Sequence, residues 1–164
     1  MAMGKLAGVR VIEIPKFKAV SSGLDTFDNL FGENGFDNWL GKHKKIIKNI
    51  VLYEGVDFMW HEGDKNIWIW AVEDWVTEAD TSPYELIEFE GGMYVAGVAD
   101  ENDGADCGEV YNNLLHWIQN SNIFESDDRP GHRIIFHRIG CGTIQDILGM
   151  AQQEMFLPIK LKKQ

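Results

Sequence analysis

Turn-forming clusters recur so closely along this chain that only short strands and helices fit between them. They fall at Gly32–Gly35, Glu62–Asp64, Thr81–Pro83, Gly91-Gly92, Asp100–Gly104, Asp127–Gly131 and Gly140–Gly142. Glycine, proline and short polar side chains supply the backbone angles and local hydrogen bonds that end regular structure. No apolar run approaches the roughly 20 residues that a membrane-spanning helix needs. With 164 residues, 45% of them hydrophobic, the chain can bury one real core.

The pieces between the turns read as an order that occurs twice. Val9–Val20 is rich in Val and Ile and reads as a strand, with Pro15 marking an edge or bulge. Asp25 to about His43 reads as a helix weakened at Gly32 and Gly35. Ile50–Trp60 and Asn66–Glu73 read as a strand pair. Tyr84–Ala99 is extended with a break at Gly91-Gly92, where a bulge is expected. A helix follows, with Asp106 as its expected cap, Glu109 three residues on, and Val110, Leu114 and Ile118 on one face. His132–Ile139 and Gly149–Leu161 read as the closing strands. The expected fold is therefore α+β, with duplicated β-α-β-β units over about 9–80 and 84–161 in one domain spanning 1–164. Pseudo-twofold symmetry would give a curved antiparallel sheet, a helix from each half outside it, and a ligand cleft between the halves.

The charge pattern restricts partners. The net charge is −11, and no Lys or Arg occurs between Lys65 and Arg129. A phosphate backbone is repelled by such a surface, so this chain is not expected to bind nucleic acid directly. Organic cations are drawn to it, although most of these acids read simply as a solvated face. Nothing at the start resembles a signal peptide, and a cytoplasmic location with no membrane association is expected.

The last strand carries the most informative residue. Alternation places Met155, Leu157 and Ile159 on one face, suited to packing on a helix, and Gln152, Glu154 and Phe156 on the other. Glutamate is depleted in strands, so Glu154 is either a solvent-facing side chain or a partly desolvated carboxylate that needs a positive charge. In Asn66–Glu73, Ile67, Ile69 and Ala71 suit a helix, which would leave Trp68 and Trp70 facing a groove. Indole faces stack on flat rings and attract cations. Phe58, Trp60 and Phe136 are candidate lining, with core as the alternative. Tyr111 could reach a ligand from the second helix or cap the core edge, and Glu73 closes its strand as a second acid. No metal or cofactor motif stands out. His132 and His137 point to opposite faces of a strand, Cys107 and Cys141 lack CxxC spacing, and no strand-turn-helix context is seen for Gly140–Gly142.

Three stretches, Val11–Val20, Glu109–Ile118 and Gln153–Ile159, with Arg129–Ile134 beside them, resemble the gyrase-inhibitor-like family. That family includes the effector-binding domains of AraC-type and MerR-type multidrug-responsive transcription regulators. The resemblance implies a duplicated β-α-β-β fold that binds hydrophobic, often cationic, aromatic compounds in a central cleft. It also implies that Glu154, in Glu-Met-Phe-Leu-Pro-Ile, faces the charge of the drug, with Phe156 on the same face. No helix-turn-helix segment precedes Val9, so the chain reads as a free-standing member or as one separated from its DNA-binding part.

Three functions follow in order of expectation. The first is a drug- or effector-binding domain. The second is a hydrolase of cyclopropane-type genotoxins, in which Glu154 or Glu73 would activate water or hold an acid proton and Tyr111 could donate to the leaving oxygen. The third is a module that docks on gyrase through its acidic surface.

Overall fold

A computed structural model of the protein describes residues 8–49, 56–139 and 142–163. In chain order the elements are β1 (Arg10–Ile14), β2 (Phe17–Ser21), α1 (Phe27–Leu30), α2 (Phe36–Lys42), a 3-10 turn (Lys44–Ile46), β3 (Asp57–Glu62) and β4 (Lys65–Ala71). Then come α3 (Glu78–Thr81), β5 (Glu85–Phe89), β6 (Gly92–Asp100), α4 (Gly104–Asn120), β7 (Phe124–Ser126), β8 (Ile135–Ile139), α5 (Thr143–Leu148) and β9 (Gln152–Leu161). This is a mixed α+β chain in which every strand pair described below is antiparallel.

The chain forms two compact units. One is Lys16–Glu90, and the other joins residues 8–15 to residues 91–163. The Lys16–Glu90 unit orders its strands β3-β4-β2-β5. The other orders them β8-β9-β6-β1, with β7 on the far end of β9. The two orders match once β2, β3, β4 and β5 are set against β6, β8, β9 and β1. Each unit thus has four equivalent strands, and its edge strand comes from the start of the other sequence repeat. Val9–Val20, expected as one strand, is two. β1 pairs with β6 (Arg10 opposite Ala96, Ile14 opposite Gly92), whereas β2 pairs with β4 and β5.

Glycine makes the joint that feeds β6. Gly91 has φ +67°, and a Cβ there would lie 2.1 Å from the Ile14 carbonyl oxygen. Gly91-Gly92 is therefore the passage from β5 to β6 and not a bulge within one strand.

α4 shows why the local sequence folds as it does. Asp103, and not Asp106, caps it by accepting from the backbone N–H groups of Ala105 and Asp106. An N-cap carboxylate of this kind satisfies otherwise orphaned donors and is worth about 1 kcal/mol. Asp106 is buried and accepts from the Asp100 N–H, so it ties the helix to the end of β6. Val110, Leu114 and Ile118 form one buried stripe on Val95, Ala99, Met155, Leu157 and Ile159. Each such side chain contributes roughly 1.5–3 kcal/mol when fully buried. Gly97 lets the helix come close, because a Cβ there would meet Val110 at 3.1 Å.

In the Lys16–Glu90 unit the expected helix over 25–43 is divided. Thr26 caps α1, and α2 starts after Gly35, where a Cβ would lie 2.1 Å from the Asn29 carbonyl oxygen. Leu30, Phe36 and Leu40 pack with Val20, Ile46 and Val72 into that unit's core. Within the strand expected over 50–60, β3 spans Asp57–Glu62, and residues 50–55 lie outside those described. α3, β7 and α5 are short and were not expected. A helix does follow Gly142, contrary to expectation, although Gly140 and Cys141 lie outside the described residues.

Candidate functional site

Glu154 sits on β9 between β6 and β8, opposite Val98 on one side and His137 on the other. Met155 and Leu157 point to α4, so the strand's pleat carries Glu154 to the face without the helix. That face also holds Arg10, Tyr94, Ala96, Val98, Gln152, Phe156 and Ile135, by the register of β1, β6, β8 and β9. The Glu154 side chain is only 4% exposed, and it is paired with the Arg10 guanidinium, whose own side chain is 53% exposed. A buried carboxylate without a cation is strongly disfavoured, which is why a charge partner must be close. Arg10, Val9, Ala96, Val98, Gln152 and Glu154 border a hollow of about 290 Å³. Its walls are largely aliphatic, and its polar groups are concentrated at the Arg10–Glu154 pair and the Gln152 amide.

Phe156 continues the same face, buried, with its ring edge toward Tyr94 at 6.2 Å between centroids. Tyr94 is fully buried and its hydroxyl has no hydrogen-bond partner among the described residues. Burial pushes its phenol well above the ordinary value. His132 meets the Tyr94 ring edge-on at 4.6 Å, and its Nδ1 lies 2.7 Å from Asp127 Oδ2. Burial pushes the Asp127 carboxyl up, but the His132 hydrogen bond, the Arg129 backbone N–H and the charges of His132 and Arg129 outweigh it. Together they hold the carboxyl below its ordinary value. Among the described residues, no group of His, Cys, Asp and Glu side chains has the arrangement of a metal site.

The other sequence-predicted residues are not gathered around Glu154. Phe136 is opposite Met155 and packs in the α4 core, on the other side of the sheet. Tyr111 also lies on the α4 side, where it borders a separate hollow with Leu115, Asp127, His132 and Pro158. Trp68 and Trp70 face the helices of the Lys16–Glu90 unit. Trp68 packs edge-on against Phe36 at 5.7 Å, stands 5.1 Å from Phe31 and donates its indole N–H to Asp57. Trp70 leans on the same core. It is Ile67 and Ile69 that share the helix-free face, with Phe58 and Trp60 directly across from them on β3. The expected orientation of β4 is therefore reversed, because the volume under α2 is filled by indole and not by isoleucine. Phe58 and Trp60 are buried on that face, Phe58 in a cluster with Phe17 and Phe89. Glu73 lies beyond the end of β4, where its N–H donates to the Ile46 carbonyl.

Arg10 and His137 are the site residues that sequence reasoning missed. Alternation in Arg10–Ile14 does place Arg10 with Ile12 and Ile14, but nothing local announces a partner 144 positions away.

No family model matches the chain, and no curated protein matches it. Solved structures do share its fold. The structure of SAV2435 bound to tetraphenylphosphonium is 15% identical, covers 94% of both chains and superposes with a TM-score of 0.55. A hydrolase from Listeria innocua is 13% identical, covers 97% of this chain and 94% of its own, and gives a TM-score of 0.64. A protein described provisionally as a bacterial transcription regulation protein, from Staphylococcus aureus MU50, is 13% identical over 93% of this chain and 98% of its own, with a TM-score of 0.51. The class defined here is thus an α+β fold of antiparallel sheets that recurs in a ligand-bound protein, in a hydrolase and in a regulator-like protein. Identities this low establish the fold and leave the activity to be argued from the site. No helix among the described residues is long and apolar enough to cross a membrane.

Proposed function

We propose that this protein binds hydrophobic, aromatic organic cations at Glu154, as the effector-sensing part of a transcription regulator or as a free-standing drug-binding protein. One observation carries the reading: a carboxylate almost fully withdrawn from water stands at the edge of a mostly aliphatic hollow in a net-negative chain. At about 290 Å³ the hollow is at the lower end of the usual range for small-molecule sites, roughly 300–1,000 Å³. A delocalised cation sheds its hydration at lower cost than a compact ammonium, and it gains a charge partner that low local polarity strengthens. The fold's occurrence in a tetraphenylphosphonium-bound protein supports that ligand class.

Titration calorimetry with tetraphenylphosphonium tests the proposal. Binding to the unmodified protein is expected, weakened at least about tenfold, or ~1.4 kcal/mol, in Glu154→Gln. Equal affinity for both proteins would remove Glu154 from the site and the proposal with it.

The likeness to a Listeria innocua hydrolase favours hydrolysis as a second reading, in which Glu154 activates water. Tyr111 is a poor partner for it here, because it lies on the α4 side of the sheet. Turnover of a cyclopropane-bearing electrophile, lost in Glu154→Gln, would establish this reading. Hydrolysis no faster than in buffer would remove it.

A further inference from the structure

We infer that Arg10 is a built-in competitor for the ligand's charge, so that a cation enters the Glu154 site by exchange and displaces the guanidinium. This rests on the reading of Glu154 as the ligand's counter-ion and adds the residue that sets which cations succeed.

The geometry is asymmetric. Glu154 is fixed near the start of β9, with strands on both sides and almost no exposure. Arg10 is the first residue of β1, whose described partner is β6 alone, and its side chain is half in solvent. Across the ladder from Arg10 stands Ala96, and the residue opposite Glu154 is Val98, so no β6 side chain here holds the guanidinium in place. Among the described residues, the ionisable groups on this face besides the pair include Tyr94, two places along β6 from Ala96, His137, opposite Glu154, and Asp100, opposite Gln152. Asp100 accepts from the backbone N–H groups of Asn102 and Ala151. Among the described residues, Arg10 is the cation that the structure pairs with Glu154.

Release of Arg10 returns a guanidinium to water that it already half occupies, and restores its side-chain freedom. Release of Glu154 would require the strand to move. The exchange therefore runs in one direction: the carboxylate stays and the guanidinium leaves. A ligand must outbid Arg10 both in charge and in apolar contact with the walls of the hollow. That condition favours bulky, delocalised monocations and rejects small, strongly hydrated ammonium ions, which bring no compensating apolar surface. Neutral analogues do not contend for the carboxylate and should be indifferent to Arg10.

The test compares four proteins: unmodified, Arg10→Gln, Glu154→Gln and the double variant. Each is titrated with tetraphenylphosphonium and with neutral triphenylphosphine oxide. Arg10→Gln is expected to bind the phosphonium about tenfold more tightly, the scale of one charge-assisted hydrogen bond net of hydration. The same variant should leave the neutral compound within about twofold, and the gain should vanish when Glu154 is also Gln. Unchanged or weaker phosphonium binding in Arg10→Gln would overturn the exchange, while a loss in Glu154→Gln would still uphold the site. No loss in Glu154→Gln would overturn the site itself. A readout that needs no variant uses protein with ¹⁵N-labelled arginine. The Arg10 Nη signal should move from a carboxylate-bonded to a solvated position as phosphonium saturates the protein, and a signal that stays put at saturation refutes the exchange.

Discussion

The two units share a strand order but not a chemistry. In the unit of residues 8–15 and 91–163, the buried acid and histidine side chains among the described residues are Asp100, Asp106, Asp127, His132, His137 and Glu154. Among the described residues of Lys16–Glu90 the buried polar side chains are Ser21, Asn66 and Thr81, all neutral. The helices differ as well: one α-helix of 17 residues backs the first sheet, whereas the second is backed by helices of four and seven residues and a 3-10 turn. On the helix-free faces, Arg10 and Glu154 of one unit contrast with the Phe17, Phe58 and Phe89 cluster of the other. A duplicated backbone has thus come to hold charge in one copy and aromatic surface in the other. Packing can be conserved by any set of apolar side chains of the right volume, but a buried charge needs its own partners and so can be placed in one copy without the other.

The contrast can be broken most forcefully in the aromatic unit. Phe58→Ala is expected to cost about 3–5 kcal/mol in denaturant unfolding, because it leaves a cavity beside Phe17 and Phe89. A loss under about 1 kcal/mol would show that the cluster is loosely packed. Next, Gly91→Ala should cost about 3 kcal/mol through positive φ and a clash with a backbone oxygen that cannot swing aside. Thermal unfolding checks it, and a variant as stable as the original would contradict the described joint.

A smaller effect sharpens the electrostatic half. The Asp127 carboxyl is held below its ordinary 3.8, so its contribution to stability is present above that pH and fades as the pH falls through the lowered native value. Asp127→Asn should cost about 2 kcal/mol near neutrality and flatten the acid limb of a stability-versus-pH curve. An acid limb identical to that of the unmodified protein would exclude Asp127 as its source. The smallest expected change is Glu154→Leu. Removing the carboxylate frees a half-solvated Arg10 and fills the position with an apolar side chain, so stability should shift by less than about 1 kcal/mol while phosphonium binding is lost. A large loss of stability would mean that Glu154 serves the fold more than a ligand.

Much of this was legible in the sequence where patterns are local. The faces of β9 follow from alternation, since Met155, Leu157 and Ile159 meet α4 and Glu154 does not. An interruption at Gly91-Gly92 follows from two residues that tolerate positive φ, but that it separates two strands and is not a bulge within one does not. β4 was misread because both of its faces are apolar, so alternation separates Trp68 from Ile69 without saying which one the helix covers. The α4 cap was missed because Asp103 and Asp106 both offer a carboxylate, and the choice depends on Asp106 being needed by Asp100. The destinations of β1 and β2 were not legible at all. Pairing between segments as far apart as Arg10 and Ala96, or Phe17 and Phe89, leaves no mark within either one.

That long-range pairing has a topological corollary. Gly91 comes back against the carbonyl of Ile14, so the chain leaves at Pro15 and returns almost to the same place. Residues 16–90 are, in effect, a loop-out from a continuous thread. Ligating Pro15 to Gly91 would leave a linear polypeptide that retains β1, β6, α4, β7, β8, α5 and β9, whereas cutting the gene at the seam of the sequence repeats would strand each fragment without its own border strand.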